Sequence, residues 1–159
     1  MKYIVADYDE RYFAGLELPG GINVEDTENE EVPNLWGKLV NETISNIPNV
    51  VFPNKFIGLE SFGPKFLMTK RFDYYALVQT EMLIENSENY VIKKLPKGRY
   101  ICFEVSFNRL DEEIGKCHKY IETNNVNVNK DFDYTEYLEN QDYSDENAKA
   151  QFCFLLVEE

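Results

Sequence analysis

Glu136 stands where the alternation of its neighbours asks for an apolar side chain. In the run Asp131-Phe132-Asp133-Tyr134-Thr135-Glu136-Tyr137-Leu138-Glu139, a strand places Phe132, Tyr134, Glu136 and Leu138 on one face. Asp133, Thr135 and Glu139 then fall on the other, because strand side chains alternate with period two. A carboxylate among aromatics is costly to bury unless a donor, a proton or a cation compensates it. In a low-dielectric aromatic cleft such a group favours a cationic ligand, since Coulomb attraction is poorly screened and ring faces add cation–π attraction. The plain alternative is a sheet-edge glutamate that reaches water.

Trp36, Tyr74, Phe103 and Tyr137 are the candidate walls of such a cleft. Trp36 lies on a helical stripe and suits core packing as well as pocket lining. Tyr74 shares a face with Phe72, Ala76 and Val78, while Tyr75 points the other way with Leu77. Phe103 alternates with Ile101 and Val105, a core pattern. Tyr100, on the opposite face with Cys102 and Glu104, could bring a hydroxyl to the cleft.

Other chemistry has thinner support. His118, the single histidine, follows Cys117 on a predicted helix. Side chains one residue apart there diverge by about 100°, so they form no thiolate–imidazole pair, and His118 is expected to be solvated. There is no Gly-x-Ser-x-Gly elbow, phosphate loop or dinucleotide fingerprint. Two carboxylates across a cleft, Glu136 with Glu60 or Glu104, could do acid–base work and hydrolyse a reactive small molecule. Cys102, Cys117 and Cys153 are far apart, with no Cys-x-x-Cys pair, so neither a zinc site nor a disulfide framework is indicated. No metal and no cofactor is expected.

The net charge of −13, without a basic stripe, argues against nucleic acid and anionic membrane surfaces. It favours cationic ligands or a basic protein partner, for which Asp26–Glu31 and Asp142–Glu146 could mimic nucleic-acid charge. No run approaches ~18 apolar residues and the N-terminus lacks a signal-peptide pattern, so a soluble, cytoplasmic protein with free thiols is expected.

The elements that must position these residues come twice. Tyr3–Leu18 reads as strand, bent near Asp7–Glu10. After the acidic loop Asn23–Glu31, Val32, Leu35, Trp36, Leu39, Val40, Thr43 and Ile44 recur at helical spacing, with Pro33 in the first turn and Pro48 as the stop. Strands follow near Lys55–Phe62 and Arg71–Thr80. The second half repeats the order: strands Tyr90–Leu95 and Arg99–Phe107 joined by a hairpin-like Pro96-Lys97-Gly98, then a helix capped by Asn108 with the stripe Leu110, Ile114, Cys117, Ile121. Strands near Phe132–Leu138 and Ala150–Val157 complete it. Arg11-Tyr12-Phe13-Ala14-Gly15-Leu16-Glu17-Leu18 also matches Arg99-Tyr100-Ile101-Cys102-Phe103-Glu104-Val105 with one residue of slack, and Glu60 occupies the slot of Glu136. One α+β domain over 1–159 is expected: two pseudo-symmetric βαββ units (about 1–80 and 90–159), antiparallel sheet, two helices on one side and a ligand cleft at the seam.

Nearly the whole chain resembles the GyrI-like small-molecule-binding domain, also called the AraC-type effector-binding domain. The resemblance rests on Val32-Pro33-Asn34-Leu35-Trp36, Ile57-Gly58-Leu59, Phe72-Asp73-Tyr74-Tyr75-Ala76, the run Leu95-Pro96-Lys97-Gly98-Arg99-Tyr100, and Phe132–Glu139. It implies the two-unit fold with a ligand cleft. In multidrug-sensing members a buried glutamate near the start of the penultimate strand faces cationic aromatic ligands, and Glu136 matches it best, with Asp133 and Glu139 as alternatives. The closing Phe152-Cys153-Phe154-Leu155-Leu156-Val157 lacks the Tyr and Pro of many relatives. The resemblance implies a binding protein for small amphipathic, cationic or aromatic molecules, acting as sensor or sequestering module. Hydrolysis and binding of a protein such as DNA gyrase are the alternatives it offers. With no room for a helix-turn-helix, coupling to transcription would need a regulatory protein partner.

Overall fold

In the centre of Arg71–Thr80, from Tyr74 to Val78, both sets of alternating side chains are apolar or aromatic, so the strand is buried on two sides: Tyr74, Ala76 and Val78 face one helix, Tyr75 and Leu77 the opposite core. The structure is a computed structural model and describes residues 1–26, 31–139 and 141–158. Its strands are β1 (Tyr3–Tyr8), β2 (Arg11–Glu17), β3 (Ile22–Asn23), β4 (Phe56–Ser61), β5 (Arg71–Thr80), β6 (Val91–Leu95), β7 (Gly98–Ser106), β8 (Phe132–Tyr137) and β9 (Lys149–Leu155). Its helices are α1 (Glu31–Asn41), the single turn α2 (Phe66–Thr69) and α3 (Leu110–Thr123).

The strands form one nine-stranded sheet in the order β1-β7-β9-β8-β4-β5-β2-β6, with β3 attached to β5, and every pairing is antiparallel. One half holds β2, α1, β4 and β5; the other holds β7, α3, β8 and β9. The two βαββ runs meet at β4–β8. α1 buries Leu35 and Leu39 against Ala14, Ala76 and Val78, and α3 buries Cys117 and Ile121 against Phe103, Phe152 and Phe154. Both long helices therefore cover the same face. The other face has its own core of Phe13, Leu59, Leu77, Tyr100, Cys102 and Tyr134.

The expected hairpin at Pro96-Lys97-Gly98 does not form. β6 pairs with β2 and β7 with β1, Arg11 opposite Leu95 and Tyr8 opposite Gly98, and the register carries through both segments without slip. β1–β2 and β6–β7 are thus one long antiparallel ribbon. Its pairing breaks at Asp9-Glu10 against Pro96-Lys97, where Pro96 has no N–H to donate. Beyond the break the inner strand changes sides, β2 joining β5 and β7 joining β9. Only two residues link β1 to β2, a reach of about 11 Å, so the sheet must bend until its two ends are neighbours.

Asn108 does not cap α3 as expected. Its Oδ1 accepts the Ser106 hydroxyl at 2.6 Å, and Arg109 takes the cap position without a side-chain bond. The acidic loop Asn23–Glu31 is seen only at its ends, because 27–30 lie outside the described residues. No helix among the described residues is long and apolar enough to cross a membrane.

Candidate functional site

At the centre of the sheet, alternation turns Phe56, Gly58 and Glu60 of β4 and Asp133, Thr135 and Tyr137 of β8 toward the helices. They pair as Phe56–Tyr137, Gly58–Thr135 and Glu60–Asp133, a ladder of three steps along the floor. α1 and α3 stand apart above it and leave an open cleft of about 1820 Å³.

Aromatic rings close the inner end. Trp36 meets Phe56 edge-on at 6.0 Å and Tyr137 at 5.2 Å between ring centroids. Its Nε1–H donates to the Tyr74 hydroxyl at 2.9 Å. Burial pushes Tyr74 up to about 12 and Tyr137 well above its ordinary value, so both are neutral phenols near neutral pH. The arrangement depends on Gly58, where a Cβ would stand 2.6 Å from the Tyr74 hydroxyl. At the outer end Phe62 packs on Phe66 at 4.9 Å and on Phe72 at 5.2 Å, forming an apolar mouth.

Between these ends lie the acids. Glu60 and Asp133 are directly opposed, with their carboxyl groups brought together on the floor. Burial, and then the Glu60 charge, hold Asp133 well above the carboxylate range; burial also raises Glu60. Burial and mutual repulsion thus disfavour full ionisation of the pair, since two adjacent carboxylates cannot both ionise in a low dielectric. His118 reaches the same floor from α3, its Nε2 3.6 Å from Asp133 Oδ2. It is not simply solvated as expected. One side of the ring packs on Phe152 and Phe154, at 5.7 and 5.2 Å, and burial lowers its pKa. The described lining includes the acids Asp26, Glu60, Asp111, Glu122, Asp131 and Asp133 against one formal cation, Lys130.

The structure brings three of the expected wall residues together: Tyr74 lines the cleft, with Trp36 and Tyr137 stacked behind it. It places the others elsewhere. Glu136 lies on the opposite face of the sheet with Tyr134, outside the cleft. There Arg11, only 7% exposed, donates from Nη2 to the Tyr134 hydroxyl at 2.8 Å and lies 3.7 Å over the Tyr8 ring. Burial raises the Glu136 pKa, while Arg11 and then Lys55 oppose the rise. The cost that the alternation exposed is thus offset in part from within the chain. Tyr100 shares that face and donates its hydroxyl to the Pro96 carbonyl at 2.7 Å. Phe103 is buried beneath α3 against Tyr120 and Phe154. Glu139 is exposed past the end of β8, and Glu104 is exposed and ion-paired with Lys2 at 3.7 Å. The carboxylate pair expected between Glu136 and Glu60 is replaced by Glu60 and Asp133. Asp133 was among the alternatives. His118 was missed as a cleft residue, because only the packing of α3 aims it at β8.

A family model described as Cass2, integron-associated effector-binding protein, matches residues 6–155. No curated protein matches by sequence. Among solved structures, the chain is similar to SAV2435 bound to tetraphenylphosphonium, at 16% identity and TM-score 0.69 over 99% of this chain and 94% of that one. It is similar to an integron cassette protein from the mobile metagenome of Vibrio cholerae, at 14% identity and TM-score 0.68 over 98% and 95%. It is also similar to the EcmrR C-terminal domain, at 10% identity and TM-score 0.72 over 99% and 98%.

Proposed function

The chain belongs to the Cass2 family of integron-associated effector-binding proteins, and we propose that its helix-side cleft captures a small cationic aromatic molecule. The observation that carries this reading is the Glu60–Asp133 pair on the cleft floor, with Tyr74 directly beside Glu60 on β5 and Tyr137, which packs on Trp36, two ladder steps away. Negative charge on the pair sits where solvent screens it poorly, so a positive centre gains there what it would not gain in water. Tyr74 and the Phe62, Phe66 and Phe72 rings of the lining offer aromatic surface to the same ligand. The surplus of acids in the lining draws cations to the mouth and repels anions.

Tetraphenylphosphonium, the ligand of the similar SAV2435, has this chemistry: one delocalised positive charge within aromatic rings. The protein would hold such a molecule as a sensor or sequestering module. The likeness to the EcmrR C-terminal domain, and to EcmrR in a DNA complex, supports a regulatory partner as the reader of the bound state.

Trp36 is the single tryptophan, so its emission reports on the inner wall directly. Titration with tetraphenylphosphonium is expected to quench it. Glu60→Gln should weaken binding at least tenfold, and Glu136→Gln should leave it unchanged. The opposite pattern, with Glu136→Gln abolishing binding, would move the ligand to the other face and overturn the reading. So would the absence of any binding heat or quenching in the wild type.

A further inference from the structure

Glu60, His118 and Asp133 converge on the cleft floor from β4, α3 and β8, and organic-cation capture does not account for the imidazole among them. We propose that these three side chains form a binding site for a divalent transition-metal ion of the zinc type. One ligand atom from each lies within 4.8 Å of the others. The closest separation, His118 Nε2 to Asp133 Oδ2, is 3.6 Å. Ligand atoms bonded at about 2.0–2.1 Å to a tetrahedral ion stand about 3.3 Å apart. The side chains therefore need to close by at most about 1.5 Å to grip one.

A second observation points to a missing positive partner. Asp133 is 2% exposed, and no amide, amine or alcohol among the described residues donates to its buried Oδ1. An oxygen in that position is unfavourable unless something positive reaches it. Glu60, directly opposite, adds a further acceptor. A metal ion between the two would satisfy both.

The supports are firm. Glu60 and Asp133 ride on adjacent central strands, and Phe152 and Phe154 pin the His118 ring. Two carboxylates with one neutral imidazole suit a borderline ion, whereas magnesium prefers an all-oxygen shell with several waters. Three protein ligands leave the remaining position facing the cleft, open to water or to a donor atom of a bound molecule.

The test is isothermal titration calorimetry of the intact protein with zinc chloride and, separately, magnesium chloride, with no organic ligand present. One zinc per chain is expected, with magnesium at least tenfold weaker. His118→Gln and Asp133→Asn should each weaken zinc at least tenfold. Circular dichroism should be unchanged for His118→Gln, whose side chain is 48% exposed and not needed for folding. No zinc binding, or binding that survives both substitutions, overturns the site. Tetraphenylphosphonium titrated into metal-free wild type tests organic-ligand capture independently. Zinc silence beside intact phosphonium binding removes only the metal site, and the reverse removes only the organic-ligand reading.

Discussion

Glu60 and Asp133 face each other across β4 and β8, on the side of the sheet that the helices cover. They sit at the meeting line of the two βαββ halves, so each half contributes one acid to the pair.

The pair makes stability depend on pH in a definite direction. Burial, and then Glu60, raise Asp133 well above its unfolded value. Below the ordinary carboxylate range both states hold the proton, and Asp133 imposes no penalty. As pH rises, the unfolded chain releases the proton first, and the folded state loses relative stability until its own raised pKa is passed. Asp133→Asn removes this loss and can donate to Glu60. It should be more stable than wild type by about 1–3 kcal/mol at pH 7, with the gap closing below about pH 4. Urea midpoints across pH measure this; parallel profiles for the two proteins would refute it.

Arg11 and Glu136 should be energetically coupled on the opposite face. Arg11→Met removes the donor to Tyr134 and the charge opposing the Glu136 burial penalty. The expected cost is about 2–4 kcal/mol. Adding Glu136→Gln should restore part of it, so a double-mutant cycle should return a clear interaction term. A coupling near zero would mean that Glu136 is held by water instead.

Gly58 should be intolerant of a methyl group. Gly58→Ala drives a Cβ into the Tyr74 hydroxyl, which cannot retreat without breaking its bond from Trp36 Nε1. A loss of about 1–3 kcal/mol is expected, together with a shift in Trp36 emission. Tyr74→Phe should shift the emission in the same way without overpacking. An unchanged spectrum in both variants would separate Trp36 from the Tyr74 wall.

The cysteines should be silent in the folded protein. Cys102, Cys117 and Cys153 are all buried, and burial pushes the Cys117 thiol up to about 12. Labelling by a thiol reagent at pH 8 should therefore follow the unfolding rate, because the thiolate is the reactive form. Labelling of any cysteine within the mixing time would contradict the packing.

Much of this was legible in the residues. Period-two alternation located the long strands, the stripes of α1 and α3 chose the buried helix faces, and the repeat anticipated both helices on one side. The aromatic partners Trp36, Tyr74 and Tyr137 were also readable as pocket candidates. The hairpin at Pro96 was misread because a proline–glycine turn looks local, while the partner of each flanking strand is set by contacts some 90 residues away.

By itself the amino-acid sequence determined the elements, the two-unit order and the presence of acids among aromatics, because these depend on side-chain period and composition. Only the tertiary structure decided which acid faces the cleft. Alternation divides β8 into two faces without saying which one the helices cover, so Asp133 and Glu136 are exchanged by that single choice. The answer came from packing: α1 and α3 settle over Ala76 and Phe152, whose faces carry Glu60 and Asp133, while Glu136 lies on the other side in the field of Arg11.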